Sequence, residues 1–266
     1  MRNLFGMMIV GALLSLSGPV VAGPYEDGIA AYGRQDYATA LRLWRPLADQ
    51  GYASAQSNLG VMYGAGHGVP QDYAEAMKWY RKAADQGYAL AQSNLGLMYA
   101  NGQGVPQDYA EAVRWYRKAA DQGYALGQHN LGVIYEKGQG VPQDYAEAVK
   151  WFRKAADQGN PSAQYNLGVM YANGQGIPQD YAEAVRWYRK AVDQGYADAQ
   201  HNLGVMYGAG RGVPQDYVRA HMWLNLAATQ GTKDAVKNRD IVAAKMTPQQ
   251  IAEAQKLARE WKPTTK

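Results

Sequence analysis

Cysteine is absent from the 266 residues of this chain. The protein therefore forms no disulfide, and a lipid anchor of the bacterial lipoprotein type, which needs a cysteine after the signal, is excluded. Histidine is scarce as well, with four residues, and the motifs Ser-x-x-Lys, His-Glu-x-x-His and Gly-x-Ser-x-Gly do not occur. We expect a non-enzymatic protein with no catalytic residue, no metal and no cofactor, because the ligand clusters that metal sites need are lacking.

No charge of one sign dominates the chain. Its 27 lysines and arginines and 23 aspartates and glutamates give a formal charge of +4, and its isoelectric point is near 9.0. The two signs are interleaved along the sequence, whereas a nucleic-acid interface needs a clustered basic stripe. We therefore expect no nucleic-acid partner.

The first 22 residues have the order of a secretory signal peptide. Arg2 is a short positive region, Leu4–Leu16 is apolar, and Gly18-Pro19 breaks any helix before the small residue Ala22. We expect cleavage before Gly23 and an exported, periplasmic chain with no integral membrane segment. Secretion from the cell is one alternative. An uncleaved membrane anchor is the other, although the apolar run is shorter than the ~20 residues of a span.

The rest of the chain repeats itself every 36 residues. The period is clearest in the glycines Gly51, Gly87, Gly123, Gly159, Gly195 and Gly231. It defines five full repeats within residues 52–231, namely 52–87, 88–123, 124–159, 160–195 and 196–231. A fixed period of this size predicts an all-α solenoid of stacked helix pairs, and no stretch alternates with period two as a strand would.

Each repeat is predicted to contain two helices. In the first helix, Ala55, Leu59 and Gly60 share one face, and the glycine lets a neighbouring helix approach closely. The second helix begins at Asp72, an N-cap, and Glu75 three residues later predicts a capping box. The two helices are therefore expected to pack as an antiparallel pair.

The spacing of the tryptophans and histidines predicts which of them lie in the core and which lie on the surface. One tryptophan recurs on the buried stripe of each second helix and is predicted to be a core residue: Trp79, Trp115, Trp151, Trp187 and Trp223. The four histidines lie apart and are expected on the surface or in a groove: His67, His129, His201 and His221.

Both ends of the repeat array depart from the pattern. Residues 23–51 keep the helical pattern without the long loop, which predicts an N-terminal capping hairpin. Residues 232–266 lose the repeat, and Thr247-Pro248-Gln249-Gln250 predicts the start of a last amphipathic helix that covers the open end of the stack.

The loop before each second helix, for example GQGVPQDYAEAV at Gly102–Val113, raises the alternative of a phosphate cradle. A phosphate loop follows a strand, but here a helix precedes the loop in every repeat. We interpret the loop as a spacer in which glycines turn the chain, a proline stiffens the return and an aspartate caps the next helix.

These motifs together resemble the Sel-1-like repeat, a relative of the tetratricopeptide repeat. The shared elements are Leu-Gly-x-x-Tyr in the first helix, Gly-x-Gly-Val-Pro-Gln-Asp-Tyr in the loop and Glu-Ala-x-x-Trp-Tyr-x-Lys-Ala-Ala in the second helix. The resemblance implies a right-handed α-solenoid of antiparallel helix pairs that acts as an adaptor for other proteins, often exported in bacteria. Some members are cysteine-rich, and a penicillin-binding or β-lactamase activity has been attributed to them. This chain has no cysteine, so it is expected to belong to a different branch, and that activity is not carried over.

The candidate binding residues lie on the first helices, which line a concave groove in the related tetratricopeptide arrangement. In the first repeat, Ser54, Ser57, Asn58, Val61 and Ala65 are expected to face it. One asparagine recurs in all five repeats and could hold the backbone of a peptide: Asn58, Asn94, Asn130, Asn166 and Asn202. The alternative is that these asparagines bond the neighbouring repeat.

Two further positions of the first helix vary while the frame stays constant. They supply an amphipathic strip that could determine specificity: Leu90, Leu126, His129, Tyr165 and His201. Neutral drift at exposed positions is the alternative.

The predicted function is a monomeric adaptor of the bacterial cell envelope that binds a protein or peptide in the concave groove. The partner is expected to be a cell-wall enzyme, the sensor domain of a membrane regulator or a host protein. The alternatives are a cell-wall enzyme of the penicillin-binding or β-lactamase-like branch, a structural scaffold of an envelope complex, and a secreted host-interaction factor.

Overall fold

The computed structural model describes residues 23–264. These residues form fourteen α-helices and no strand, which confirms the all-α fold. The helices are α1 Pro24–Gly33, α2 Tyr37–Asp49, α3 Ala53–Ala65, α4 Tyr73–Asp85, α5 Ala89–Asn101, α6 Tyr109–Asp121, α7 Ala125–Lys137, α8 Tyr145–Asp157, α9 Pro161–Asn173, α10 Tyr181–Asp193, α11 Ala197–Ala209, α12 Tyr217–Thr229, α13 Ala235–Ala243 and α14 Pro248–Glu260.

The predicted signal peptide, residues 1–22, lies outside the described residues. Within residues 23–264, every helix is too short or too polar to cross a membrane.

The helices are divided between two compact units. Among the described residues, the N-terminal unit comprises 23–134 together with 138–142, and so holds α1 to α6 and most of α7. The C-terminal unit comprises residues 135–137 and 143 onward, and holds α8 to α14. Consecutive helices pack on one another from α1 to α6 in the N-terminal unit and from α8 to α13 in the C-terminal unit.

The N-terminal unit opens with a hairpin of α1 and α2, whose connection is only residues 34–36. Trp44 is fully buried in a core with Ala55, Leu59 and Trp79, and its indole N–H donates to the carbonyl oxygen of Tyr25 at 3.1 Å. The hairpin therefore covers the first full repeat through the position that a tyrosine or phenylalanine fills in the next four repeats and Leu224 fills in the fifth.

A glycine in the first helix makes room for an aromatic ring of the second, as the sequence predicts. A Cβ atom placed on Gly60 would lie 2.6 Å from the ring of Tyr80. A Cβ placed on Gly96 would lie equally close to the ring of Tyr116, and one on Gly168 equally close to the ring of Tyr188. Distances this short exclude alanine unless the helices separate.

The predicted N-caps are confirmed, but the capping box of the second helices is wrong. Asp72 accepts a hydrogen bond from the backbone N–H of Glu75 at 2.9 Å. The carboxylate of Glu75 does not return to the cap and instead pairs with Lys78 at 2.9 Å. In a helix, a lysine or arginine three residues after a glutamate lies close enough to form an ion pair with it. The complete box is present in α14, between Thr247 and Gln250.

The C-terminal unit ends with two helices outside the repeat. Helix α14 packs on α12, where Ala254 and Ala258 contact Met222 in a small core. The rings of Trp223 and Trp261 meet edge to face with centroids 5.5 Å apart. Trp223 is thus half-buried against this added helix, whereas the tryptophans of the four preceding repeats are buried, which confirms their core role: Trp79, Trp115, Trp151 and Trp187.

Candidate functional site

The structure buries most of the predicted first-helix residues in the N-terminal unit. The expectation that Ser57, Asn58 and Val61 face a groove is wrong, because all three are at most 1% exposed. Val61 packs in the core with Tyr80 and Ala91. The amide of Asn58 donates to the hydroxyl of a tyrosine in α1, Tyr25, at 3.4 Å. Leu90, Asn94 and His129 are buried as well. Of the predicted residues in this unit, Ser54, Leu126 and Asn130 are half-exposed, and Ala65 is exposed.

Two of the recurring asparagines interact with the preceding repeat. The amide of Asn202 in α11 donates to the hydroxyl of Tyr188 in α10 at 3.3 Å. Asn94 partly opposes the burial that raises the pKa of the Tyr80 hydroxyl in the preceding repeat, although the amide nitrogen of Asn94 has no hydrogen-bond partner among the described residues. These contacts favour the alternative in which the asparagine stabilises the stack, since a buried amide needs partners. One repeat earlier, the residues equivalent to Asn202 and Tyr188 are Asn166 and Phe152. Phe152 has no hydroxyl group to accept the same bond.

In the C-terminal unit, the corresponding positions of α9 and α11 stay accessible. Tyr165 and Val169 of α9 and Asp198 and His201 of α11 are half-exposed. Val205 of α11 is exposed, at 37%. Their spacing of three, four and seven residues places the side chains of each helix on one face. We call this surface the α9–α11 face; it also includes Asn166 and Asn202.

The aromatic part of the α9–α11 face is built around Tyr165. Its ring centroid lies 6.0 Å from that of Tyr188 and 5.3 Å from that of Tyr196. His201 is fixed by amides, with Nδ1 3.3 Å from Asn202 Oδ1 and Nε2 2.8 Å from Asn238 Nδ2. The face therefore has a defined shape rather than a set of free side chains.

Two carboxylates, Asp198 and Glu136, act on the tyrosine of this face. Burial and then the charge of Asp198 raise the pKa of the Tyr165 hydroxyl, with smaller contributions from Tyr196 and Glu136, while a hydrogen bond to Asn202 acts in the opposite direction. Burial also raises the pKa of Glu136, against the effect of Lys137. A carboxylate with a raised pKa is poorly solvated in its charged form.

Glu136 is a candidate that the sequence prediction missed. The signal is present in the repeat alignment, since every other copy has a small residue at this position: Gly64, Ala100, Ala172 and Gly208. Glu136 lies in the last turn of the first helix, whereas the variable positions predicted from the sequence, those of Ser54 and Ser57, lie in its first two turns.

The histidines depart in part from the prediction of surface positions. His67 is half-buried, bonded to the hydroxyl of Tyr32 at 2.8 Å and stacked on Tyr37 at 4.4 Å between ring centroids. His129 and His221 are buried, against expectation. His129 Nδ1 lies 3.3 Å from Asn130 Oδ1, and His221 belongs to the buried side of α12. Among residues 23–264, no group of three or more potential ligands could hold a metal ion.

The loop geometry supports the spacer interpretation. Gly66 and Gly68 both have left-handed backbone angles, with φ of +73°. The backbone N–H groups of His67 and Asp72 donate to the carbonyl oxygens of Met62 and Tyr63, both at 2.9 Å. Donors used in this way are not free to cradle a phosphate.

A glutamine ladder, also unpredicted, crosses successive repeats. In the N-terminal unit the buried amide of Gln56 donates to the carbonyl of Ala48 at 3.0 Å and accepts from Gln86 at 2.7 Å. The C-terminal unit repeats the second contact between Gln194 and Gln164, at 2.9 Å. These glutamines are structural, since both ends of each buried amide face protein groups.

Comparison with known proteins identifies the repeats. The sequence profile of the Sel1 repeat matches six segments, at residues 21–52, 53–88, 89–124, 125–160, 161–196 and 197–232. The first match falls on the hairpin of α1 and α2, which is predicted from the sequence as a cap and not as a repeat. No curated protein matches the chain.

Solved structures of bacterial repeat proteins are similar to the chain. A Sel1 repeat protein from Oxalobacter formigenes is 35% identical, with a TM-score of 0.77 over 89% of this chain and 99% of that one. A protective antigen of uropathogenic Escherichia coli that displays an SLR fold is 30% identical over 89% of this chain and 67% of that one, with a TM-score of 0.44. A putative Sel1 repeat protein from Klebsiella pneumoniae is 25% identical over 75% of this chain and 97% of that one, with a TM-score of 0.50. The chain belongs to the Sel1 repeat family.

Proposed function

We propose that this protein is a non-enzymatic adaptor of the bacterial cell envelope that holds a protein or peptide partner on its first helices. Sel1 repeat proteins are typically scaffolds for protein interaction. The partner classes that suit an envelope location are a cell-wall enzyme, the sensor domain of a membrane regulator and a host protein. The signal-like residues 1–22 support export.

The observation that carries the proposal is the contrast between constant and variable positions. The glycine, tyrosine and glutamine contacts that join the helices recur in the repeats, as with Gly60 and Gln56. In the C-terminal unit, the accessible side of the first helices carries residues that differ between repeats, as at Tyr165 and His201. A constant frame with variable accessible residues is the arrangement by which repeat proteins select partners.

The structure narrows the proposed contact residues. Asn58, Asn94, Leu90 and His129 offer little surface because they are buried, and we assign them to the frame. The proposed contacts are the residues that remain accessible: Tyr165, Asn166, His201 and Asn202 on the α9–α11 face, and Leu126 and Asn130 in the N-terminal unit.

Site-specific photo-crosslinking in the bacterium that encodes the chain tests this proposal. A photoreactive amino acid replaces Tyr165 or Val205 on the α9–α11 face, or Lys150 on the exposed side of α8 as the matched control. We expect a discrete crosslinked protein from positions 165 and 205 and none from position 150. Crosslinks from position 150 alone would place binding on the second helices and contradict the proposal.

The enzymatic alternative predicts covalent labelling by a penicillin probe. We expect no labelling, because the chain lacks a Ser-x-x-Lys motif. A labelled band that a competing β-lactam abolishes would instead support the cell-wall enzyme.

A further inference from the structure

Three departures from the repeat frame converge on one place. Glu136, Tyr165 and Asp198 come from consecutive first helices, α7, α9 and α11. Each stands at a position where other copies have a different residue, for example Gly64 for Glu136, Ser57 for Tyr165 and Ser54 for Asp198. Independent drift at three positions would not be expected to bring an aromatic ring and two carboxylates together.

All three residues belong to the compact C-terminal unit. The charges of both Asp198 and Glu136 act on the hydroxyl of Tyr165 and raise its pKa, although burial contributes most. Asp198 accepts a hydrogen bond from Thr232 at 3.4 Å. Glu136 makes no ion pair with any cation that the structure describes, and the adjacent Lys137 is exposed.

Other aromatic rings of the C-terminal unit already have a cation above them. Lys154 lies 4.2 Å from the ring centroid of Trp151, and Lys190 lies 3.8 Å from that of Trp187. Among the described residues, none places a lysine or arginine over Tyr165. A cation over an aromatic ring gains from the ring quadrupole, more so when water is excluded.

We propose that the α9–α11 face, completed by Glu136, binds a lysine or arginine side chain of a peptide segment in the partner. The rings of Tyr165 and Tyr196 supply the wall, and the carboxylates of Glu136 and Asp198 supply the charge. Val169 and Val205 contact the apolar part of the same segment. The inference rests on the proposed function and specifies the chemistry of its partner.

A phage-displayed library of random peptides, selected against the whole chain, tests the proposal. Selected peptides are synthesised with a fluorescent label, and their dissociation constants are measured by anisotropy. Three versions of the chain are compared: wild type, the double variant Glu136→Gln/Asp198→Asn, and the control Glu253→Gln/Asp157→Asn. The control removes two exposed carboxylates elsewhere in the C-terminal unit, so the change in net charge is matched.

We expect the selected peptides to be enriched in lysine and arginine. Binding should weaken about tenfold or more in Glu136→Gln/Asp198→Asn, as loss of charge-assisted contacts requires, and change little in the control. Acetylation of the peptide's lysine, which removes its charge, should have a similar effect. Thermal unfolding of each variant checks that the isosteric changes leave the fold intact.

The other outcomes separate the inference from the proposed function. Peptides that lack basic residues but lose affinity to the variant Tyr165→Leu would overturn the cation inference and leave binding at this face in place. If no selected peptide depends on Tyr165, both the inference and the proposed function at this face are wrong.

Discussion

The side-chain amide of Gln122 donates to the amide oxygen of Gln92 across 2.7 Å, and Gln92 in turn donates to the carbonyl of Ala84 at 3.1 Å. Gln92 is 4% exposed, so water cannot replace these bonds. One side chain in α5 thus links the ends of α4 and α6. This is how a repeat of small residues keeps its helices in register.

Replacing Gln92 with alanine is therefore expected to destabilise the chain. Loss of two hydrogen bonds in a buried position predicts a decrease of about 1–3 kcal/mol in the free energy of unfolding, measured by urea denaturation. The control Gln255→Ala changes an exposed glutamine in α14 and should have an effect within about 0.5 kcal/mol. Equal effects of the two changes would show that the ladder does not stabilise the fold.

Alanine at Gly96 and at Gly208 should have opposite effects. A Cβ on Gly96 would lie 2.6 Å from the ring of Tyr116, whereas on Gly208 the nearest atom is 3.5 Å away, in Val242. Overpacking predicts a loss of about 1–3 kcal/mol for Gly96→Ala. Gly208→Ala should be neutral or stabilise by up to about 1 kcal/mol, because alanine favours the helix. Urea denaturation of both variants is the measurement, and a destabilised Gly208→Ala would contradict this account of the packing.

The N-cap of a second helix should matter more than its neighbouring glutamate. Asp108 accepts from the backbone N–H of Glu111 at 3.0 Å, while the Glu111 carboxylate pairs with exposed Arg114 at 2.6 Å. We expect Asp108→Ala to cost about 1 kcal/mol and Glu111→Gln at most about 0.5 kcal/mol. Comparable losses in thermal unfolding would indicate that Glu111 does complete a capping box in solution.

Most of the fold followed from the sequence because it depends on local signals. Asp72 before a helix, Gly66 at a left-handed position and Asn160-Pro161 at a helix start each act over a few residues. The period of 36 residues then predicts that each helix pair stacks on the next one in the sequence. Gly60 predicts the close contact between the two helices of a pair. Agreement between such local signals is what makes a repeat sequence predictable.

The candidate site was less predictable because exposure depends on what covers each helix. Ser57 and Tyr165 hold equivalent positions in the sequence, yet Ser57 is fully buried and Tyr165 is half-exposed. The periodicity marks which side of a helix a residue occupies, but it carries no information on the neighbouring side chains. Glu136 was missed for a related reason, since its interest lies in its proximity to residues of other helices.

His221 should make the stability of the chain depend on pH. Its side chain is buried in α12, and no hydrogen-bond partner reaches Nδ1 from the described residues. Burial, and then the charge of Arg239, lower its pKa from the ordinary value of 6.5, while Asp240 acts in the opposite direction. The folded state therefore takes up the proton less readily than the unfolded state does.

A lowered histidine pKa contributes stability above the unfolded value of 6.5, and this contribution is lost as the pH falls toward the folded value. We expect the free energy of unfolding of the wild type to decrease between about pH 7.5 and about pH 5.5 by more than that of His221→Leu, in which this proton is absent. The other histidines are common to both proteins, so the difference isolates residue 221. Parallel pH profiles for the two proteins would mean that His221 is protonated as easily in the folded chain as in the unfolded one.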